Sequence, residues 1–427
     1  MPLISRVGNR YFVALRYADY RWVWAAGMAG ASAYWALIVA RGTLVLDMSG
    51  SSAMVGLVTF SAMAPRIVVP PLAGYVADRF ERRTVLRFAY AGNLFNNTLL
   101  TALALSGALE VWHVMLLSVA NGTIRSYQMT ASSTLVPNLV PRHHLLNAVS
   151  LNMVSVQGSR LVGPGIIAPV LIAFGAPAAF LASTIFYALG FALVLQVQTR
   201  STGGITRGQS VASGLVQAIG VVYRHPQLRM IILLVLLHCG MTMSFESVFP
   251  AFSRDSLGAG SEGFSYLMMA VGAGGLVFVM LTAGVRGDWA RGRLLFLTGV
   301  VSGISMVSLA LSSNLVTASI SAIAMGASQG SFMAIAMAWV QGLAPEGMRG
   351  RINGLYQLNF GGAMAMVNLT NGVLADSINP VILLGALGAS FVAVMGVSVV
   401  LATARAMYLV GIPTHAIPAA VPAAAEA

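Results

Sequence analysis

The sequence predicts an all-α membrane protein whose twelve transmembrane helices form two six-helix bundles. Hydrophobic residues make up 57% of the 427-residue chain and charged residues only 8%, whereas charged residues make up about a quarter of a soluble protein. Twelve apolar segments are each long enough to cross a hydrocarbon layer of about 30 Å. Polar motifs of the first half recur in the same order in the second half, so we expect two related halves.

We number the predicted spans 1 to 12 in chain order. Spans 1 to 6 are residues 22–45, 53–76, 85–107, 111–133, 145–173 and 176–197. Spans 7 to 12 are residues 229–251, 264–285, 294–312, 315–341, 354–375 and 379–404. Residues 22–197 therefore form the predicted N-terminal bundle, and residues 229–404 form the predicted C-terminal bundle.

The segments outside the bundles are predicted to lie in the cytoplasm. Residues 1–21 carry four arginines and no compact apolar run before a small-residue cleavage site, so we expect no removable signal peptide. Residues 198–228 form a linker, in which Val211–Tyr223 is expected to lie as an amphipathic helix on the inner membrane surface. Residues 405–427 are rich in alanine and proline, which predicts a disordered tail.

The distribution of arginine predicts the topology. All 24 basic side chains are arginine; with the N-terminus inside, 19 lie in inside segments, one (Arg254) lies in an outside loop and four lie within spans. This bias obeys the positive-inside rule and predicts a multi-pass protein of the inner cell membrane with both termini in the cytoplasm. The formal charge of +12 then reflects topology and contact with anionic lipids, and no nucleic-acid partner is expected.

A charged stretch, GYVADRFERRTVLR, lies between spans 2 and 3. We predict a tight cytoplasmic turn there, in which Gly74 lets two helices approach closely and Asp78 lies near a helix N-terminus or pairs with an arginine. The arginines cannot enter lipid at low cost, so they hold the turn inside. They are Arg79, Arg82, Arg83 and Arg87. In the alternative interpretation, these charges serve only the topology.

The same pattern recurs between spans 8 and 9. Gly74, Asp78 and Arg83 have counterparts 210 residues later. These are Gly284, Asp288 and Arg293. A second pair of segments, which start at Pro141 and Pro345, has an offset of 204 to 206 residues. The similar offsets predict two halves with the same helix order and orientation.

These residues carry a resemblance to a known family. The run G-Y-V-A-D-R-F-E-R-R-T-V-L resembles the loop motif of the major facilitator superfamily, which is a glycine, three residues, Asp-Arg and then Gly-Arg-Arg; Glu81 stands in place of the second glycine. The segments PNLVPRHHLLNAVSLN, RLVGPG and APEGMRGRINGLY are similar to the branch that contains siderophore (enterobactin) exporters and macrolide efflux proteins. The resemblance covers residues 20–400.

The resemblance implies the major facilitator fold and a secondary active transporter. Its implied activity is proton-coupled export of a small organic molecule, a siderophore or an antibiotic-like drug, by alternating access around a midplane site. The proton gradient is the implied energy source, and neither a cofactor nor a metal is expected. An importer or a flippase for lipids or lysolipids, built on the same fold, is the alternative.

A polar stripe on span 4 is the first candidate site. Its members are spaced 3, 4, 3 and 4 residues apart, which places them on one helical face. They are Ser118, Asn121, Arg125, Gln128 and Ser132. Such a stripe predicts the wall of an aqueous cavity, and the resemblance assigns Arg125 and Gln128 to the R-x-x-Q core of the fourth-helix motif of proton-coupled exporters. Alternatively, Arg125 is a structural arginine that bonds backbone carbonyls between helices.

Three more arginines lie within spans of the N-terminal half. The segment GSRLVGP of span 5 contains Arg160 and resembles the antiporter motif that ends in Gly-Pro; we expect a bend, and the implied hinge, at Gly163 and Pro164. Arg66 lies midway along span 2. Arg41 lies near the outer end of span 1, from where its side chain can reach the surface. Only Glu246 opposes Arg66, Arg125 and Arg160 within the spans, so these three arginines favour an anionic or polar, hydrogen-bonding substrate.

Glu246 is the one acidic residue that lies clearly within a span, and it is the candidate proton carrier. A carboxyl group in a region of low dielectric constant favours its neutral form, so it can bind and release a proton near neutral pH. His238, eight residues earlier on the predicted helix face, is a candidate relay. Alternatively, Glu246 is a gate or ion-pair residue and His238 is a satisfied interior histidine.

Span 11 carries a second polar stripe, at spacings of 4, 4, 3, 4 and 3 residues. Its members are Asn353, Gln357, Gly361, Met364, Asn368 and Asn371. We predict a second, uncharged cavity wall opposite Arg125. Tyr34, Trp35 and Phe245 offer aromatic surface for a ringed substrate, or they anchor helices at the membrane interface.

Other classes of protein fit the sequence less well. A membrane-embedded enzyme would need His143, His144 or His238 as catalytic groups, but the six histidines include no H-x-x-x-H pair. With no lysine, the chain cannot carry the phosphate-binding loop of an ATPase. A receptor would need a signalling domain outside the bundle. We therefore expect a monomeric transporter, not an enzyme, whose partners are a small-molecule substrate and membrane lipids.

Overall fold

The structure, a computed structural model, describes residues 12–141, 144–201, 211–285, 287–345 and 349–412. Helices fill almost all of these ranges, and no strand occurs in them. The prediction of an all-α protein is confirmed. Residues 1–11 and 413–427, which include most of the predicted tail, lie outside the described residues.

In the N-terminal half, helices occupy the positions of all six predicted spans. Span 1 is Ala18–Ser49, span 3 is Arg82–Leu105 and span 4 is Val111–Leu135. Span 2 consists of two helices, Ser52–Met63 and Pro65–Arg79, that meet at a proline. Spans 5 and 6 lie in one helical segment, Leu145–Leu195, whose backbone leaves the helical region at Gly175 (φ 76°). Glycine tolerates a positive φ, which other residues rarely adopt, so the helical segment is kinked there.

In the C-terminal half, span 7 is interrupted. Its helix, Pro226–Thr242, is followed by a non-helical segment and by the short helical turns Phe249–Ala251 and Phe252–Ser256. The remaining helices are span 8 (Gly260–Ala283), span 9 (Asp288–Ala310), span 10 (Leu315–Leu343), span 11 (Arg349–Ala375) and span 12 (Pro380–Ser398). A C-terminal helix, Ala402–Leu409, follows, so the prediction that the disordered tail begins at residue 405 is wrong.

Seven of the described helices are long and apolar enough to cross a membrane, or eight if the bent pair of the linker helix and span 7 counts as one span. Spans 5 and 6 count as one helix in this set, and spans 3, 4 and 11 are not among them. These three helices carry the polar side chains that pack inside the bundle, which lowers their apolar content. Membrane crossing by all twelve spans remains a prediction.

Corresponding helices of the two halves begin at nearly constant offsets. Span 3 begins at Arg82 and span 9 at Asp288, 206 residues later; spans 4 and 10 begin 204 residues apart, at Val111 and Leu315. The offset of 210 predicted for the charged loops is wrong, because Asp78 lies in the last turn of span 2 whereas Asp288 is the first residue of span 9. The predicted bundle boundaries remain predictions.

The apolar cores show where the two halves meet. One cluster contains Leu37 and Val55 from the first half and Phe249 and Phe264 from the second, all toward the end predicted to be extracellular. Toward the other end, a cluster within the N-terminal half is separate from one formed mainly by the C-terminal half. The halves are therefore packed together at the predicted extracellular end, which we call the outer end.

The linker contains the predicted amphipathic helix, Val211–Arg224. From residue 216 it lies at 109° to the helix of span 7. Val216, Ile219 and Tyr223 are exposed on one side, while Ala218 and Val222 are buried against the bundle. This is the geometry that an interfacial helix requires, with its exposed apolar face available to lipid.

Candidate functional site

The charged loop between spans 2 and 3 is tighter than predicted. Only Phe80 and Glu81 separate the two helices, and Gly74 lies inside span 2 with no atom within 4 Å of the position that a Cβ would take. The expectation that Gly74 permits close helix approach is therefore wrong. The side chain of Asp78 lies outside the described residues.

The arginines of this loop tie it to neighbouring helix ends. Arg83 forms an ion pair of 2.8 Å with Glu81 and donates to the carbonyl of Gln198 after span 6. Arg82 donates to the carbonyl of Thr134 at the end of span 4, and Arg79 donates to the hydroxyl of Tyr75. Such contacts stabilise a fixed arrangement of spans 2, 3, 4 and 6.

The corresponding loop of the second half is arranged differently. Asp288 lies 3.9 Å from Arg291, one turn along span 9. Arg293 stacks on the ring of Trp289, with 4.0 Å between its guanidinium carbon and the ring centroid. Both loops are charged and connect the second and third helices of their half, but the side-chain contacts seen in the two loops differ.

Arg125 lies inside the N-terminal half. Its side chain is only 8% exposed, its guanidinium carbon is 4.0 Å from the ring centroid of Tyr34, and its Nη1 donates to the carbonyl of Gly30 at 3.3 Å. The Nε atom is buried without a hydrogen-bond partner among the described residues. Arg125 therefore makes the kind of bond to a backbone carbonyl that a structural arginine would make. It also keeps one donor, Nε, without a partner among the described residues.

The rest of the span 4 stripe packs against other helices. Asn93 of span 3 donates to Gln128 at 3.0 Å and accepts from Asn121 at 2.9 Å, and Asn121 also reaches the hydroxyl of Tyr187 in span 6. The prediction of an aqueous cavity wall at this stripe is wrong for this conformation, because spans 1, 3 and 6 cover it. The asparagines of span 3 were a missed signal, since their spacing also places them on a helix face.

Arg160 lies where the two halves meet. Its guanidinium carbon is 4.3 Å from the ring centroid of Trp35, and its Nε and Nη2 atoms are buried without a hydrogen-bond partner among the described residues. A Cβ at Gly272 of span 8 would lie 2.6 Å from the backbone of Arg160. Glycine at this position therefore lets spans 5 and 8 touch beside the arginine.

Gly163 lies at a close contact between spans 5 and 1, and Pro164 follows it within the helix. A Cβ at Gly163 would lie 2.4 Å from the carbonyl oxygen of Ser32, so glycine permits the close packing of span 5 on span 1. The helical backbone continues through Pro164 and is interrupted at Gly175. The helix is therefore not broken at Pro164, where a bend was expected. A hinge at this site remains a prediction.

Glu246 lies in the interruption of span 7. It is 1% exposed, and its Oε2 accepts a hydrogen bond of 3.1 Å from Asn368 of span 11. Its Oε1 is buried and has no hydrogen-bond partner among the described residues. It interacts electrostatically with Arg160 and Arg66 of the N-terminal half. The buried carboxyl of one half therefore faces the arginines of the other.

Side chains of spans 10 and 11 stabilise the interruption that positions Glu246. Gln329 donates to the carbonyl of Thr242, and Asn371 donates to the carbonyl of Ser244. The side-chain amide oxygen Oδ1 of Asn368 accepts a hydrogen bond from the backbone N–H of Ser247. Backbone groups freed by a break in a membrane helix need such partners, because lipid offers none.

His238 does not share a helix face with Glu246, because the helix ends at Thr242. That expectation is wrong. The imidazole Nε2 lies 3.1 Å from the Ser302 hydroxyl, and the ring stacks on Phe332. These surroundings fit an interior histidine, and a relay to Glu246 remains a prediction.

The span 11 stripe is divided between two environments. Asn368 and Asn371 are buried on span 7, whereas Gln357 is exposed. Gly361 packs against Arg66, whose side chain is half-buried and lies 5.6 Å from the ring centroid of Tyr34. The side chain of Asn353 lies outside the described residues. The stripe is thus partly an interhelical contact and does not form one continuous wall.

Arg41 contradicts the expectation that it reaches the surface. It is 4% exposed and lies beside a cavity of about 20 Å³ between spans 1 and 2, which Tyr34, Gly42 and Thr59 also line. Its position near the outer end of span 1 suggested an escape route, but Phe264 and Pro250 of the other half pack over Gly42. Burial by the opposite half cannot be inferred from the sequence of span 1.

Asp376, at the outer end of span 11, is a residue that sequence analysis missed. Its carboxylate accepts hydrogen bonds from the Ser51 hydroxyl and from the backbone N–H groups of Ser52 and Ala53, at the start of span 2. Directly below, Gly56 and Gly372 bring spans 2 and 11 into backbone contact. The sequence around Asp376 does not indicate that this acidic residue contacts another helix.

Comparisons with known proteins agree with this architecture. A family model described as transmembrane secretion effector matches residues 10–416. The staphyloferrin A transporter of Staphylococcus aureus is 22% identical over 264 residues, which cover 62% of this chain and 66% of that protein, slightly less than two thirds. The multidrug efflux pump Tap of Mycolicibacterium fortuitum is 25% identical over 328 residues, which cover 74% and 80%.

Solved structures are similar in fold at low identity. A D-xylose–proton symporter has a TM-score of 0.70 at 16% identity and covers 95% of this chain and 99% of its own. The nucleoside transporter NupG has a TM-score of 0.68 at 11% identity and covers 91% and 98%. These likenesses support the arrangement of helices described above.

Proposed function

Since the chain belongs to the transmembrane secretion effector family of the major facilitator superfamily, we propose that it exports a small organic molecule, a siderophore or a drug, in exchange for protons. The observation that carries this proposal is the placement of Glu246. Its buried carboxyl interacts with Arg160 and Arg66 across the boundary between the halves, and in the part of the chain that the structure describes its Oε1 atom has no hydrogen-bond partner. The similarity to a siderophore transporter and to a multidrug efflux pump supports this class of cargo.

Alternating access is supported by the asymmetry of the contacts between the halves. The shared apolar core, the Asp376 carboxylate and the contact of Gly56 with Gly372 all lie toward the outer end. Toward the other end, the two halves have largely separate cores. In the proposed cycle this conformation is closed to the outside, and the opposite conformation separates these outer contacts.

Antiport requires that the proton and the cargo exclude each other at one site. In the proposed mechanism, ionised Glu246 accepts a hydrogen bond from the cargo through its free oxygen, and Arg160 and Arg66 stabilise that charge. Protonation from the outer side converts Glu246 into a hydrogen-bond donor, so the cargo loses its acceptor and leaves. The reverse occurs at the cytoplasmic side, where the higher pH removes the proton.

The test uses everted membrane vesicles that contain the protein and are acidified inside by respiration. Staphyloferrin A, tetracycline, erythromycin and ethidium are added separately, and proton release is followed by the fluorescence of acridine orange. At least one compound should enter the vesicles and restore fluorescence by drawing protons out. Glu246→Gln should remove this proton movement, whereas Glu262→Gln, a change at an exposed acid of span 8, should not.

Two outcomes would overturn parts of the proposal. Uptake of a compound by vesicles without proton release would remove the antiport mechanism. If none of the four compounds moves while the protein is correctly inserted, export of siderophores and drugs is wrong, and vesicles with labelled lysolipid then test the flippase alternative.

A further inference from the structure

We propose that Arg41 binds a carboxylate group of the exported molecule at a cavity between spans 1 and 2, whose outer side the C-terminal half closes in this conformation. This inference rests on the proposed function and specifies the chemistry of its cargo. It adds a second recognition point to the one at Glu246. The following observations carry it.

The guanidinium of Arg41 has an unused edge. Its Nε and Nη2 atoms are buried and have no hydrogen-bond partner among the described residues. These two nitrogens lie on the same edge of the planar group, so together they form the fork that binds both oxygens of one carboxylate. The hydroxyl of Tyr34, which lines the same cavity, is also buried without a partner and supplies a third donor.

Among the described residues, no aspartate or glutamate forms an ion pair with Arg41. The groups that interact with it electrostatically are Tyr34 and Tyr187, and neither is an aspartate or a glutamate. A buried guanidinium without an opposing charge is costly in a membrane protein. A ligand carboxylate would supply both the missing negative charge and the missing hydrogen-bond acceptors. A neutral group would supply at most the acceptors, and a cationic group would not supply the charge.

The cavity in the present conformation has a volume of about 20 Å³, which is enough for about one water molecule. Its outer side is closed by the C-terminal half, since Phe264 and Pro250 pack against Gly42. A rocking motion that separates the halves at the outer end would remove both side chains. The cavity would then become continuous with the space between the halves, and the Arg41 edge would become accessible to a ligand.

Arg41 and Glu246 have different electrostatic surroundings, which is compatible with antiport. Arg41 interacts with Tyr34 and Tyr187, whereas Glu246 interacts with Arg160 and Arg66. A carboxylate bound at Arg41 therefore need not compete with Glu246 for the same arginine. The inferred cargo carries a carboxylate at one end and a hydrogen-bond donor, such as a hydroxyl or amide, at the other.

The test compares carboxylates with their neutral esters. Purified protein is titrated with citrate and with benzoate, and in parallel with trimethyl citrate and methyl benzoate, while thermal unfolding and calorimetric heat are measured. At least one carboxylate should bind and raise the unfolding midpoint, and its ester should not. Arg41→Gln should weaken that binding at least tenfold, and Arg41→Lys, which keeps the charge but loses the fork, should have an intermediate effect.

Arg254→Gln is the matched control, because Arg254 lies near the outer end but pairs with its neighbour Asp255. It should leave carboxylate binding unchanged. Tyr34→Phe removes one donor only and should weaken binding severalfold, so it tests the site even if the Arg41 variants fold poorly. Equal binding to wild-type protein and Arg41→Gln, or no binding of either carboxylate to the wild-type protein, would overturn the inference.

The vesicle assay separates this inference from the proposed function. Proton-coupled movement of a drug without any Arg41-dependent carboxylate binding removes only the carboxylate site. Arg41-dependent carboxylate binding without proton-coupled movement of any compound removes the proposed export function and leaves the site.

Discussion

The Oδ1 atom of Asp376 accepts a hydrogen bond of 2.5 Å from the backbone N–H of Ser52, although the two residues belong to opposite halves of the chain. The other carboxylate oxygen accepts from Ser51 and Ala53. An acid of span 11 thus occupies the N-terminus of span 2, where free N–H groups and the helix dipole favour negative charge. This contact closes the outer end with a bond that must break when that end opens.

We expect Asp376→Asn to shift the protein toward the conformation that is open at the outer end. The amide keeps an acceptor but loses the charge, and a charged group at a helix N-terminus contributes about 1 kcal/mol, which corresponds to a roughly fivefold change in population. The measurement is the rate at which a maleimide labels a cysteine introduced at Thr59, which borders the Arg41 cavity.

Asp255→Asn is the control for this change, because Asp255 lies near the same end but pairs with its neighbour Arg254. It should leave the labelling rate unchanged. An equal effect of both substitutions would mean that general surface charge, and not the contact with span 2, controls access to the cavity.

Alanine substitutions of two glycines should show whether transport depends on the close contact between spans 2 and 11 or on the glycine near the charged loop. A Cβ at Gly372 would lie 2.6 Å from the Ser52 carbonyl oxygen and 2.8 Å from the Gly56 Cα, whereas a Cβ at Gly74 meets no atom within 4 Å. Gly372→Ala should therefore prevent close packing of spans 2 and 11 and reduce transport at least tenfold. Gly74→Ala should keep transport and stabilise its helix by about 0.5–1 kcal/mol.

The measurements are vesicle transport and thermal unfolding of both variants. Loss of transport in Gly74→Ala with normal insertion would restore a functional role for the loop glycine. Normal transport in Gly372→Ala would mean that spans 2 and 11 need not touch at this point during the cycle.

The sequence predicts helix positions well because hydropathy depends on local composition. Helices occupy the positions of the predicted spans, apart from the interruption of span 7 after Thr242, and Asn121, Arg125 and Gln128 are buried on one side of span 4, as their spacing predicts. What covers that side is a tertiary property. Asn93 and Tyr187, which are distant in sequence, fill the space that the stripe alone suggested was aqueous.

The interruption of span 7 illustrates a second limit. The segment MSFESV contains no proline or glycine, so local signals favour a continuous helix through Glu246. The break is stabilised by Gln329 and Asn371, which bond its backbone carbonyls from spans 10 and 11. The expected alignment of His238 with Glu246 was wrong because the sequence of one span does not reveal partners on others.

The affinity for cargo should depend on pH through Glu246. The ionised carboxylate accepts a hydrogen bond from the cargo in the proposed mechanism, so binding strengthens as pH rises and weakens as the group takes up a proton. Competition with one proton changes the apparent dissociation constant by up to about tenfold per pH unit. Glu246→Gln, which resembles the protonated form, should bind weakly and without this dependence.

The measurement is calorimetric titration at several pH values with whichever compound moves in the vesicle assay. The charged groups that interact with Glu246 are Arg160 and Arg66, and His238 is the residue of span 7 that we predicted as a relay. The variant His238→Gln therefore measures how much His238 contributes to the pH dependence of cargo binding. A pH profile unchanged by Glu246→Gln would remove this residue as the proton carrier.

Arg125 should matter more than an arginine with the same ring contact at the surface. Both Arg125 on Tyr34 and Arg293 on Trp289 have their guanidinium carbon 4.0 Å from the ring centroid, but Arg125 is buried and Arg293 is exposed. Cation–π contacts contribute about 0.5–1 kcal/mol when exposed and about 2 kcal/mol when desolvated. Arg125→Ala also removes the bond to the Gly30 carbonyl of span 1.

We therefore expect Arg125→Ala to lower the free energy of unfolding by at least about 2 kcal/mol. It should also reduce transport at least tenfold, because Tyr34 would no longer be held between Arg125 and the Arg41 cavity. Arg293→Ala should change stability by less than about 1 kcal/mol. Chemical unfolding and vesicle transport measure the two effects. If Arg125→Ala lowers stability but leaves transport intact, the arginine is structural; if both variants behave alike, burial of the ring contact has no functional weight.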